Sequence, residues 1–119
     1  MSWFRRMRER MGQSDEERLR EETRQWAAEV AGATPIGSCE RRSRCRIAGV
    51  VRRMTIRPGE ESLEALVTDG TGEVVAVWTG RSHIPGVGLG TRVLLEGMVV
   101  EEKGRLRVVN PGYEFVGSH

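Results

Sequence analysis

The stretch from Ser62 to Gly80, SLEALVTDGTGEVVAVWTG, constrains the fold more than any other part of the chain. Two apolar runs, Leu63–Thr68 and Val74–Thr79, flank the polar break Asp69-Gly70-Thr71-Gly72. Asp-Gly between β-prone runs is a strong hairpin signal, because such turns need residues that tolerate positive φ. Gly72 offers a second position for a left-handed backbone. Both predicted strands are apolar at nearly every residue, so both faces must be covered or curled inward. A small closed barrel meets that demand better than an open sheet with one wet face.

A chain of 119 residues makes one domain with at most an appendage. The expected division is a helical arm and linker over 1–38 and a barrel domain over 39–119. No apolar run is long enough to span a membrane. The opening MSWFRRMRERM carries charges where a signal peptide has its apolar segment, and a cytoplasmic protein is expected. Cys39 and Cys45 have no second pair and no nearby histidine, whereas a zinc site needs about four ligands. They are read as reduced thiols, and neither metal nor cofactor is expected.

The net charge of +2 does not by itself announce a nucleic-acid binder. The positive charge is almost all arginine, with Lys103 the single lysine. Abundant Arg, Gly, Val and Glu beside one Lys and one Asn resembles a GC-rich bacterial coding sequence. The placement of the arginines therefore carries more information than their number.

Residues 1–12 set Trp3, Phe4, Met7 and Met11 at helical spacing among Arg5, Arg6, Arg8 and Arg10. Such a basic amphipathic segment can rest on a membrane surface, on nucleic acid or on the protein's own barrel; docking on the barrel or disorder is expected of so short a helix. Ser14 reads as an N-cap, with Asp15, Glu16 and Glu17 in the first turn. Leu19, Thr23, Trp26, Ala27 and Val30 then form one apolar stripe, and Gly32 and Pro35 end the helix.

Between Arg41 and Arg57 lie Arg41, Arg42, Arg44, Arg46, Arg52, Arg53 and Arg57, without an acid. Cys45, Ile47, Gly49 and Val51 alternate with Arg44, Arg46 and Arg52, so strand geometry sends the first set inward and the arginines to one outer face. The doubled Arg52-Arg53 breaks the alternation and predicts a bulge or bend near Gly49–Arg53. A long bent strand is expected here, followed by a turn at Arg57-Pro58-Gly59-Glu60. Beyond the hairpin, RSHIPGVGLG over 81–90 is too broken for a helix and reads as a loop across a barrel mouth. Thr91–Glu101 is the fourth strand, Glu102-Lys103-Gly104 a turn, Arg105–Val109 the fifth strand, and Tyr113–Val116 the closing segment.

A long bent first strand, a second-to-third-strand hairpin carrying Asp69-Gly70-Thr71-Gly72-Glu73, and five strands in all resemble an OB-fold. Val50-Val51 after Gly49, Val74–Trp78 after the turn, Gly90 ahead of Val93–Gly97, and Asn110-Pro111-Gly112-Tyr113-Glu114 carry the likeness over about residues 44–116. The pattern is similar to OB domains of the anticodon-binding type and to the wedge domain of RecG-like branched-DNA helicases. It also resembles small stand-alone, arginine-rich OB proteins of GC-rich bacteria. The fold class expected is thus mainly β: a five-stranded OB barrel with an N-terminal α-helical arm.

The resemblance implies nucleic-acid binding across strands two and three, with single-stranded or branched DNA, or RNA, as the ligand. Single-strand binders of this class combine a basic groove with stacking groups, and arginine planes can stack as well as aromatic rings. The candidate contacts are Arg44, Arg46, Arg52, Arg53 and Arg57 along the backbone and Arg81 and Arg105 at the edges, with Arg92 and Arg107 adding to the basic surface. Trp78 is a candidate stacking group, although its parity with Val74 and Ala76 fits the core equally well. Catalysis is not expected, since His83 and His119 are the only histidines and no positioned carboxylate accompanies them. The alternative is a protein-interaction or self-association module that works through the N-terminal helix.

Overall fold

A computed structural model describes the backbone of residues 2–116 and the side chains of residues 15–116. The expectations about the side chains of residues 1–12, and about His119, lie outside the described residues. Helix α1 runs Ser2–Glu29, followed by a 3-10 turn at Ile36–Ser38. The strands are β1 (Ser43–Arg57), β2 (Ser62–Thr68), β3 (Glu73–Thr79), β4 (Arg92–Glu102), β5 (Arg105–Val109) and β6 (Gly112–Phe115).

β1 does the work of two strands. Its first half, Ser43–Val50, pairs antiparallel with β4, and its second half, Val50–Arg57, pairs antiparallel with β2. β3 continues from β2 and runs parallel to β5, which returns to β4. The ring β1-β2-β3-β5-β4 thereby closes on itself, the topology of an OB barrel. β6 extends the ring by pairing with the start of β4. The strand switches partners at the place where the sequence pattern breaks. Val51 pairs with Val67 and Arg53 with Leu66, leaving Arg52 as the extra residue of a bulge. At Gly49 a Cβ would meet Val67 Cγ1 at 2.5 Å and the Thr68 carbonyl oxygen at 2.8 Å, so the bend needs a residue without a side chain.

The barrel interior is aliphatic: Ile47, Val51, Leu63, Ala65, Val67, Val74, Ala76, Val93, Leu95, Val99 and Val108 are all at most 2% exposed. Each strand contributes alternate residues, as closed barrels require. Neither mouth is closed by a long helix. Ile36, from the 3-10 turn, is buried in the core on the side of the β2–β3 turn. Ile84 and Val87, from the glycine-rich loop after β3, are buried in the same core on the side of β4's start.

Asp69 ties one mouth together. Its carboxylate is buried and accepts hydrogen bonds from the backbone N–H of Ile36 (2.8 Å), Thr71 (2.9 Å) and Gly72 (3.2 Å) and from the Thr71 hydroxyl (2.7 Å). Gly70 takes the left-handed conformation at φ +87°, whereas Gly72 does not, so the turn uses one such glycine and not two.

The helix is longer than the capping signals suggest. Ser14 lies inside α1 rather than at its start, because the helix continues through Gly12, whose cost of about 1 kcal/mol does not end it. The chain leaves the helix through Gly32 at φ +80°, as expected. Among the described residues, Trp26, Ala27 and Val30 of α1 cover Ala48 of β1, Leu94 of β4 and Val116, and Arg20 and Arg24 pass close over Gly70 of the β2–β3 turn. Arg92 lies over the Trp26 ring at 4.8 Å from its centroid. Leu19, the outer member of the predicted stripe, is 65% exposed.

Candidate nucleic-acid interface

Strand register places two rows of outward side chains across the barrel wall formed by the second half of β1, β2, β3 and β5. Arg53 pairs with Leu66, Leu66 with Val75, and Val75 with Arg107. In the next row Thr55 pairs with Glu64, Glu64 with Val77, and Val77 with Val109. At an interstrand spacing of about 4.8 Å, the first row spans about 14 Å from one arginine Cα to the other. Arginines thus stand on both borders of an aliphatic strip that is itself largely covered: Val75 and Val77 are 7% and 5% exposed, Leu66 is half-buried, and Val109 is open to solvent. Arg57 extends one border and Arg105 the other.

One end of this wall opens into a shallow groove of about 400 Å³, lined by Leu66, Gly72, Glu73, Val75, Gly104, Arg105 and Leu106. The β4–β5 turn that borders it is tight: Lys103 and Gly104 both have positive φ, at 53° and 80°. The opposite end carries the β1–β2 turn and the exposed Arg81, which follows β3.

Glu64 stands in the middle of the wall with its side chain only 14% exposed. Its Oε2 accepts from Arg57 Nε at 2.9 Å and from Arg107 Nη2 at 3.5 Å. Arg107 also pairs with Glu102 at 3.3 Å. The hydrogen bond that Arg57 donates to Glu64, and then the Glu64 charge, hold the Arg57 guanidinium above its ordinary pKa. The face is therefore not a plain basic patch: Arg53, Arg57, Arg105 and Arg107 are interleaved with Glu64, Glu73 and Glu102.

The arginines expected to form one site are divided between two sides of the molecule. Arg53, Arg57 and Arg105 border the wall just described, with Arg52 exposed at the bulge beside it and Arg81 at its end. Arg44 and Arg46 also point outward, but from the half of β1 that pairs with β4. There Arg46 lies 3.9 Å from Glu114, and its carbonyl accepts from Thr34 N–H at 2.7 Å, close to where α1 packs. Alternation along a strand predicts inward or outward correctly, but the outward direction rotates as a tilted strand passes around a closed barrel.

Trp78 does not belong to the surface. It is 5% exposed, donates from Nε1 to the Pro111 carbonyl at 3.3 Å, and packs edge-on to Tyr113 at 5.9 Å between centroids. Its parity with Val74 and Ala76 sends it inward. Among the described residues the exposed ring is Phe115, 52% exposed and on β6, away from the β2–β3 wall. Glu64 was absent from the expected site, since it lies in no arginine-rich run; only the cross-strand register brings it together with Arg107 and Arg57.

No protein-family model matches the chain, and no curated protein matches it in sequence. Solved structures do match in fold. A replication protein A heterotrimer bound to ssDNA gives a TM-score of 0.53 at 14% identity, over 76% of this chain and 70% of that one. The replication factor A related protein of Methanobacterium thermoautotrophicum gives 0.55 at 18% identity, over 71% and 90%. The OB domain of MM0293 from Methanosarcina mazei gives 0.58 at 19% identity, over 72% and 84%. The chain has the OB fold. Among the described residues no cluster of His, Cys, Asp or Glu is arranged to hold a metal, and no helix is long and apolar enough to cross a membrane.

Proposed function

We propose that the protein binds single-stranded or branched nucleic acid, without catalysis, across the wall of β1, β2, β3 and β5. The observation that carries this reading is the register row Arg53–Leu66–Val75–Arg107. A strand crossing the wall would meet an arginine on each side and the half-buried Leu66 between, over a largely covered Val75, so phosphate contacts at the borders would outweigh apolar contact with bases. The structural neighbours add support, since one is a replication protein A assembly bound to ssDNA. Arg52, Arg53, Arg57, Arg81 and Arg105, joined by Arg107, would contact the backbone. Because exposed aromatic rings are missing from the wall, stacking would fall to arginine planes, and phosphate contacts would dominate affinity.

Fluorescence anisotropy with short single-stranded DNA, RNA and a forked duplex at two salt concentrations tests the reading. Reversing Arg53 and Arg105 to Glu should weaken binding at least about tenfold at low salt and reduce the salt slope by about 2. The pair Arg44→Glu and Arg46→Glu, on the other side of the barrel, should change affinity much less. Equal losses from both pairs would remove the assignment to this wall, and no binding by the unmodified protein would remove the function.

A second reading rests on α1, a 28-residue helix that packs on the barrel through Trp26, Ala27 and Val30 among its described residues. A partner protein or a second copy could use the rest of it. Deleting residues 1–14 would then abolish self-association or partner capture while leaving oligonucleotide affinity unchanged.

A further inference from the structure

We infer that Glu64 reads bases, giving the wall a preference for those that carry an exocyclic amino group, cytosine over thymine or uracil. The inference rests on the nucleic-acid reading above and adds a determinant of specificity to it. Both arginine contacts to Glu64 fall on the same oxygen: Arg57 Nε and Arg107 Nη2 donate to Oε2. Oε1 accepts no hydrogen bond among the described residues, and no fully buried side-chain oxygen there lacks a partner, so Oε1 keeps some accessible surface within a side chain that is 14% exposed. The carboxylate is thus held from behind by two guanidinium groups and offers one acceptor forward.

Its surroundings suit a base rather than a phosphate. Val77 lies opposite Glu64 on β3, Leu66 follows two residues along β2, and Val109 continues the row on β5. A carboxylate on an aliphatic floor repels a phosphate but accepts readily from an amino group. Cytosine N4 is such a donor, whereas thymine and uracil present a carbonyl oxygen at the same position. A thymine there would leave two acceptors facing each other. The arginines on Oε2 keep their charge for the backbone while fixing the orientation of Oε1, so base and phosphate recognition share one ion-pair network.

The test compares labelled dC12 and dT12 by anisotropy at neutral pH, using the full chain. The unmodified protein should bind dC12 about five- to tenfold more tightly, the scale of one ordinary net hydrogen bond. Glu64→Gln keeps the shape, removes the charge and can donate as well as accept. It should tighten dT12 and bring the two affinities within about twofold of each other. Glu64→Asp keeps the charge but withdraws the acceptor, and should lose the preference without tightening dT12. Thermal melts of each variant confirm that the barrel is intact. If E64Q tightens both oligonucleotides equally, Glu64 acts only as a charge and the inference is overturned. An unmodified protein that binds both homopolymers alike also overturns it. If neither homopolymer binds at low salt, the nucleic-acid reading itself falls.

Discussion

Single side chains carry much of this fold's precision. Asp69 looks in the sequence like ordinary turn chemistry, and its bonds to Thr71 and Gly72 are just that. Its bond to Ile36 N–H is a tertiary one, joining residues 33 apart and anchoring the segment that plugs one barrel mouth. Asp69→Ala would leave several donors without their acceptor, and a loss of about 3 kcal/mol is expected in chemical denaturation. Near the same mouth, burial pushes the Cys39 thiol up to about 12, helped by the hydrogen bond and charge of Cys45 and by the charge of Asp69. At pH 8 only about one Cys39 in ten thousand is thiolate, so alkylation followed by mass spectrometry should be slow at this residue. Because the folded thiol holds its proton more tightly than the unfolded one, its contribution to stability is complete below about pH 8.5 and is lost as pH rises towards 12. Trp78 shows the opposite balance of signal and ambiguity: strand parity already placed it with Val74 and Ala76, while its residue type suggested a surface role. Parity was the better guide, because alternation is enforced by backbone geometry and aromatic chemistry is not.

At the scale of elements, the hairpin, the bent first strand and the glycine-rich plug were all readable, since each has a local cause. Turn residues, an interrupted alternation and clustered glycines act over a few positions and leave marks in the chain. The full extent of α1 was less readable: Ser14-Asp15-Glu16-Glu17 is a good start signal, yet a helix already under way simply passes through it. Packing of α1 also concentrates where the stripe meets the barrel, on Trp26, Ala27 and Val30, and leaves Leu19 in solvent. Trp26→Ala would uncover Ala48 and Leu94 and remove the partner of Arg92, with an expected loss of about 2 kcal/mol in thermal or chemical unfolding. The equivalent change at Leu19 should fall within about 0.5 kcal/mol of zero. These two results together would locate the contact between arm and barrel.

On the scale of the whole molecule, the arginine pattern was the feature read least well. Five arginines along one strand look like one surface, but the strand wraps a closed ring and distributes them over two sides. The row that joins Arg53 to Arg107 crosses four strands and cannot be seen without the register of every pairing between them. The same wrapping strand has a consequence for how the barrel is made. β1 meets β2 soon after both are synthesised, but its first half has no partner until Arg92–Val99 has emerged. Until then its unpaired backbone groups are exposed beside half-formed apolar surface, a state that invites association with other nascent chains. Formation of the β1–β4 ladder, the most distant pairing in the ring, should therefore limit the folding rate. The arginines on that half of β1 would then have a use before the protein is complete, keeping the waiting edge in water and away from its neighbours.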